Sequence, residues 1–253
     1  VWVPWTQVIN TFKLKGSWGE LGNQNVDAYQ DLPLISFSGD AIRWIFEQGG
    51  TAPVGYAQTP SLISSNLTWE TARSVNLGTS LSFFGNKLKT DFDWFERTTY
   101  DMIGPAQPQP GVIGATIPQE NNATLRTRGW EINVNWGQTL NSGLSYNIGV
   151  NLFDSKAVVT EYLNSTGTLS TWYEGREQGE IWGYTAHELY QSQEEIDTYT
   201  SEVDLSYITG LAWNTGDLKY LDTNGDGAVN NGSYTVDDHG DLSVIGNSTC
   251  LLY

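Results

Sequence analysis

The chain has 253 residues, of which 39% are apolar, and it contains 11 Trp, 13 Tyr and 8 Phe. Its formal net charge of −17 argues against nucleic acid as a partner, because phosphate binding needs clustered cations. The single cysteine, Cys250, excludes an internal disulfide, and no stretch approaches the ~18 uninterrupted apolar residues of a membrane-spanning helix.

The first strands are predicted where apolar and polar residues alternate, since successive side chains of a strand point to opposite faces. Residues 12–22, 69–84 and 88–102 show this pattern. Gly85 and Asn86 predict a tight turn between the second and third strands.

The clearest alternation lies in residues 129–151, which predict a β-hairpin with its turn at residues 141–143. Each of its two strands has an apolar face and a polar face. We expect an outward apolar band formed by Trp130, Ile132, Val134, Leu144, Ile148 and Val150, and an inward polar face that carries Asn133, Asn135, Asn147 and Asn151.

Long connections at about 23–66, 103–123 and 161–240 alternate with the tight turns. The last of them contains a predicted helix after Ser192, which has capping-box spacing to Glu195, and residues 242–245 predict a sixth strand. Long loops are uncommon in compact soluble domains, whereas outer-membrane barrels alternate short periplasmic turns with long extracellular loops.

The predicted fold class is therefore all-β: about six antiparallel strands of a large outer-membrane β-barrel with long extracellular loops. We expect Trp94, Trp130 and Trp136 at the membrane interfaces, where tryptophan is enriched. The alternative is a secreted, calcium-stabilised β-sandwich that binds glycans or adheres to a surface.

Several stretches, taken in order, resemble the SusC/RagA class of TonB-linked outer-membrane proteins. They are residues 12–25, 67–78, 92–102, 122–132, 174–184 and 222–249. The resemblance implies a TonB-dependent transporter that imports oligosaccharides or peptides and pairs with a SusD-like surface lipoprotein. It also implies that residues 1–253 are a partial barrel from the C-terminal half, without the plug domain and its contact with TonB.

A polar loop after residue 221 has the spacing of an EF-hand-type calcium site. Its candidate ligands, at positions 1, 3, 5, 7 and 9, are Asp222, Asn224, Asp226, Ala228 and Asn230. Ser233 replaces the bidentate Glu of position 12, so we expect a weak, structural Ca²⁺ site. The alternative is a polar turn without a metal.

Four aromatic residues of the longest connection, Trp172, Tyr173, Trp182 and Tyr184, are candidates for stacking on the sugar rings of a substrate. The alternative is that they pack a small core within the loop. His187 and His239 are the only histidines and are far apart in the sequence, and no nucleophile motif is found, so we expect no enzymatic activity.

Overall fold

A computed structural model describes residues 8–24, 32, 35, 37–38, 56–57, 62–64, 67–106, 112, 117–208, 210 and 212–248. Its strands, in chain order, are β1 Ile9–Asn23, β2 Phe37–Ser38, β3 Tyr56–Ala57, β4 Glu70–Phe83, β5 Leu88–Gly104, β6 Glu120–Thr139, β7 Ser145–Tyr162, β8 Glu180–Tyr184, β9 Ala186–Leu189, β10 Leu218–Tyr220 and β11 Leu242–Asn247. One α-helix, α1, spans Gln193–Glu202. No helix in these residues is long and apolar enough to cross a membrane.

The five long strands form one antiparallel sheet in the order β1-β4-β5-β6-β7. Each strand pairs with the next long strand along the chain, as the predicted up-and-down arrangement requires. Within the described residues the two outer strands, β1 and β7, do not pair with each other, so the sheet is open.

The pairing register separates two faces, as predicted from the alternation. Val134 lies opposite Val150 and Ile132 opposite Leu152 on what we call the apolar face. Asn133 lies opposite Asn151 on the polar face, where Asp91 is its partner in β5. Leu144 is the exception among the predicted apolar set, because it lies in the turn before β7 and its carbonyl accepts a hydrogen bond from Leu140 N.

The apolar face is exposed across all five strands. Leu14 is 72% exposed, Leu77 55% and Leu152 56%. A contiguous exposed apolar surface of this kind marks contact with a partner or with lipid.

Two groups of aromatic side chains bound the apolar face. Trp94 and Trp130 lie opposite each other in β5 and β6, and Trp136 is six residues further along β6. At ~3.3 Å per residue, the two groups are about 20 Å apart along the strand. Trp136 lies beside Phe84, with 6.2 Å between the ring centroids. The spacing is that of aromatic girdles on either side of an apolar band about 25 Å tall.

The tight turns form as predicted. Phe84, Gly85 and Asn86 all have positive φ angles of 54–66° in the turn between β4 and β5. Gly143, with φ 84°, closes the turn between β6 and β7.

The predicted connection at 103–123 is too long, because β5 continues to Gly104 and β6 begins at Glu120. A register shift after Thr99, where Asp101 has φ 50°, breaks the alternation that marked the strand in the sequence. Residues 107–111 and 113–116 lie outside the described residues. So does most of the connection at 23–66, apart from short segments that include the paired strands β2 and β3.

The predicted sixth strand exists as β11, but it pairs with β8 and is not part of the large sheet. Among the described residues the sheet therefore has five strands, and β11 does not add a sixth to it. A short apolar run predicts a strand without identifying its partner, and here the partner lies in the preceding connection.

The connection predicted at 161–240 spans residues 163–241 and contains β8, β9, α1 and β10, with β9 paired to β10. We call it the loop unit. The predicted helix is confirmed. Ser192 is its N-cap, and the Ser192 hydroxyl oxygen accepts a hydrogen bond from Glu195 N at 3.2 Å.

Part of this unit covers the free edge of β7. Gly175 N donates to Val159 O at 2.8 Å, Val159 N donates to Arg176 O at 2.9 Å, and Gln178 N donates to Ala157 O at 2.8 Å. An open edge is a template for unwanted pairing, and the segment closes it at the long-loop end of β7.

Gly129 allows β5, β6 and β7 to approach closely on the polar face. A Cβ at this position would lie 2.5 Å from Phe95 Cζ and 2.8 Å from Asp154 O. We expect Gly129→Ala in the full-length protein to destabilise the sheet by about 1–3 kcal/mol, because backbone and ring must both move. The barrel should unfold at a lower temperature, measured by its heat-modifiable mobility in denaturing gels.

Gly19→Ala is the matched control for Gly129→Ala. Gly19 lies on the same face in β1, and no atom lies within 4 Å of its added Cβ. Equal unfolding temperatures for the two variants would contradict the packing argument.

Candidate functional site

The polar face of the sheet carries a network of paired polar side chains. Lys15 Nζ lies 3.1 Å from an Asp93 carboxylate oxygen, and the Ser80 hydroxyl donates to Asp91 at 2.5 Å. Asn133 Nδ2 donates to Asn151 Oδ1 at 2.5 Å, and the Asn135 amide donates in turn to Asn133 Oδ1. The face thus presents amides and neutralised charges side by side.

The polar face becomes apolar at its long-loop end. Ala123, Val159 and Tyr162 are buried there, and Met102, Leu125 and Trp172 pack against them. The Trp172 and Tyr162 rings meet edge to face with 6.2 Å between centroids. Trp172 therefore attaches the loop unit to the sheet.

Glu180 joins two of the other predicted aromatic residues. Its Oε1 accepts hydrogen bonds from the Tyr173 hydroxyl and from Trp182 Nε1, the latter at 2.9 Å, and its Oε2 accepts one from Glu177 N at 3.2 Å. Arg176 Nε lies 3.6 Å from the same carboxylate, whose side chain is only 5% exposed. Burial, followed by the contact with Glu180, raises the pKa of Tyr173 far above its ordinary value.

Tyr184 belongs to a separate aromatic cluster. Its ring lies 6.2 Å from that of Tyr220, which in turn lies 6.2 Å from Trp213. Trp213 also contacts Tyr190, which is 1% exposed. The four candidate aromatic residues thus lie in three different environments and do not form one stacking surface. Glu180, Tyr190 and Trp213 were missed in the sequence, where they carry no pattern of their own.

The proposed calcium loop is folded by hydrogen bonds from its own backbone. The two Asp222 carboxylate oxygens accept from Gly225 N at 2.6 Å and Gly227 N at 2.8 Å. Asn224 Oδ1 accepts from Asp226 N, and Asp226 Oδ1 accepts from Ala228 N, both at 2.9 Å. The Asn224 and Asp226 contacts are Asx turns, in which a short polar side chain replaces a backbone acceptor.

Asp241 fixes the same loop from outside. It is fully buried, and its carboxylate accepts from Thr223 N at 2.6 Å and from Asn230 N at 2.9 Å. The loop is further joined to the end of α1, since Asp204 N donates to Gly227 O and Val229 N donates to Asp204 O. Asp241 therefore lies close to the loop but binds backbone amides there.

The donor set of the loop keeps some capacity for a cation. A carboxylate has about four acceptor positions, and the two amide bonds to Asp222 use only two of them. The loop contains few carboxylates, however. No group of three or more His, Cys, Asp or Glu side chains suited to a metal occurs in the part of the chain that the structure describes.

The long antiparallel strands, the exposed apolar face between aromatic girdles and the polar opposite face define part of the wall of a large outer-membrane β-barrel. Residues 3–246 match the family model described as TonB dependent receptor-like, beta-barrel, and the chain belongs to this family. The predicted fold class and the resemblance to TonB-linked proteins are confirmed, and the β-sandwich alternative is wrong. Proteins of this family lie in the outer membrane and are not enzymes.

Curated relatives include two TonB-dependent receptors of Formosa agariphila. Receptor P26 is 28% identical over 238 residues, which is 88% of this chain and 22% of the relative. Receptor P3 is 25% identical over 151 residues, which is 60% of this chain and 14% of the relative. The chain therefore spans less than a quarter of the length of these receptors.

Solved structures confirm the fold. One described as the RagAB peptide importer in a closed-closed state has a TM-score of 0.58 and 16% identity, and covers 95% of this chain and 23% of its own. Another, described as the RagAB peptide transporter, has a TM-score of 0.57 and 20% identity, and covers 72% and 20%.

We expect Glu180→Ala to open the loop unit, because it leaves the Tyr173 hydroxyl, Trp182 Nε1 and Glu177 N without their buried acceptor. Each such loss costs about 1–3 kcal/mol. Limited proteolysis of the full-length protein should cut the variant faster between β7 and β11. Glu174→Ala, which removes an exposed carboxylate nearby, is the control, and equal cleavage of both variants would contradict the role of Glu180.

Proposed function

We propose that this chain forms part of the wall and the extracellular mouth of a transporter that imports oligosaccharides across the outer membrane, driven through TonB. The observation that carries the proposal is the two-faced sheet: an apolar face for lipid and a polar face of paired side chains for an aqueous lumen. The loop unit at residues 163–241 is held against the lumen side of the mouth by Trp172 and Tyr162.

The lumen face favours a neutral, polar substrate. Its asparagine amides offer donors and acceptors together, and Lys15 partly neutralises Asp91 and Asp93. Sugar hydroxyls form hydrogen bonds with groups of this kind. Peptides are the second candidate, and they are favoured by the description of the RagAB structures as peptide transporters. The candidate aromatic contacts for the substrate are Trp182 and Tyr184, together with Trp172 and Tyr173 of the same loop unit.

A SusD-like lipoprotein is the partner that we propose for the mouth. The pair β8 and β11 carries exposed apolar side chains: Ile181 is 45% exposed, Val244 52% and Ile245 58%. Such a patch is suited to a protein partner. If the lipoprotein docks on this patch, purification of the complex through a tagged lipoprotein should fail for Val244→Asp with Ile245→Asp.

The transport proposal predicts a loss of uptake when the lumen face is changed. In a strain that depends on the full-length transporter, we expect Asn133→Leu with Asn151→Leu to lower oligosaccharide uptake several-fold, because the substrate loses its hydrogen-bond partners. Uptake should also stop without TonB. Growth on labelled oligosaccharides, and separately on peptides, measures the effect and identifies the substrate class.

Val134→Ala with Val150→Ala is the matched control, since this pair lies at the neighbouring position on the apolar face. Normal uptake in the asparagine variant, at equal surface abundance, would contradict the proposed lumen path.

We also propose that the loop at residues 222–230 binds Ca²⁺ weakly, through Asp222, Asn224, Asp226, the Ala228 carbonyl and Asn230. Support comes from the unused acceptor positions of these oxygens and from the acidic chain, whose net charge is −17. The backbone bonds and Asp241 already order the loop, so the cation adds stability to a formed turn.

The calcium proposal predicts that millimolar Ca²⁺ slows proteolysis of the loop in the full-length protein, with an affinity on the order of 10⁻⁴–10⁻³ M. Asp226→Ala should abolish this response, since it removes a central ligand. Asp237→Ala, which removes an exposed carboxylate of the same connection, should keep it. Cleavage that is independent of calcium and chelator in the wild type would leave a turn without a metal.

A further inference from the structure

A groove of about 340 Å³ lies on the sheet at the long-loop side of the aromatic girdle. Two tryptophans, three cationic side chains and one carboxylate are among its lining residues: Trp94, Trp130, Arg126, Arg128, Lys156 and Asp154. All six belong to β5, β6 or β7, and the register places them on the apolar, lipid-facing side. The groove is thus separate from the lumen.

The charge of the groove differs from that of the rest of the chain. The whole sequence has 12 Lys and Arg against 29 Asp and Glu, yet three cations and a single acid line this groove. The Arg126 side chain makes no hydrogen bond or ion pair with any residue that the structure describes. The Arg128 side chain is 54% exposed and binds Glu96 through Nε alone. The other two guanidinium nitrogens take no part in that contact.

Lys156 is held in place by Glu177, at 2.7 Å, and remains 65% exposed. Glu96 and Glu177 therefore fix the positions of two of the cations. Asp154 lies at the girdle, opposite Trp130, and so at the apolar end.

The depth of the groove matches that of lipid headgroups. Arg128 and Arg126 lie two and four residues from Trp130 on its long-loop side, which is about 7 and 13 Å along the strand. Tryptophan rings sit at the boundary between acyl chains and headgroups, so these guanidinium groups reach the headgroup layer of the outer leaflet.

We propose that this groove binds the phosphate-bearing headgroup of an anionic lipid in the outer leaflet. The forked N–H donors of Arg126 and Arg128 suit phosphate oxygens, and Lys156 supplies a third cation. The acyl chains lie along Trp94, Trp130 and the apolar face below them. A free phosphate ion would gain nothing from contact with this apolar half of the groove, whereas the acyl chains of a lipid would pack on it.

The full-length transporter in detergent is titrated with the anionic lipid phosphatidylglycerol and, in parallel, with phosphatidylcholine, which has no net charge. Native mass spectrometry counts the lipids that remain bound. The wild type should retain phosphatidylglycerol in preference. Arg126→Gln with Arg128→Gln should weaken that retention on the order of tenfold, given what each cation contributes near an anionic membrane surface.

Arg97→Gln is the control, because it removes a positive charge from the lumen side of β5. Arg126→Lys keeps the charge but loses the forked donors, so it should weaken retention less than the double variant does, and unchanged heat-modifiable mobility shows that the variants fold. Equal retention of both lipids, an equal loss in Arg97→Gln, full retention in the double variant, or displacement by inorganic phosphate would each overturn the proposal.

Discussion

The pairing register of the five long strands is the constraint on which the rest of the structure depends. Each residue of these strands faces either lipid or the lumen, and a shift of one residue would exchange the two faces. The register is continuous from Lys13 in β1 through Ser80, Asp91 and Asn133 to Asn151 in β7. One row of polar side chains thereby crosses the whole sheet, with apolar rows on the other face.

The loop unit is held by contacts with the sheet and by two buried carboxylates of its own. It contacts the sheet at the cluster of Ala123, Val159 and Tyr162, where the lumen side becomes apolar and receives Trp172, and along the edge of β7. Glu180 begins β8 and Asp241 immediately precedes β11, so the pairing of these strands links both carboxylates. Each binds several donors, which explains how a polar segment with a small core keeps a defined shape.

Much of the sheet could be predicted from the sequence because alternation is a local property. All five long strands, both tight turns and the two faces of the hairpin follow from local sequence patterns, and the N-cap of α1 follows from Ser192 and Glu195. Partners of short strands could not be predicted in this way, because β11 has the same pattern whether it joins β7 or β8. The arrangement of the aromatic candidates could not be predicted for a similar reason: Trp172, Tyr173 and Tyr184 look alike in the sequence and have different neighbours in space.

The segment that covers the edge of β7 also sets a limit on strand addition. The outward backbone groups of Ala157 and Val159 are already bonded to residues 175–178, whereas the described residues leave the stretch 145–155 with a neighbour on one side only. A β-strand needs about 9–11 residues to cross a membrane. The length of β7 that remains open to a neighbouring strand is therefore about one membrane crossing, and the loop segment at residues 175–178 sets where that length ends.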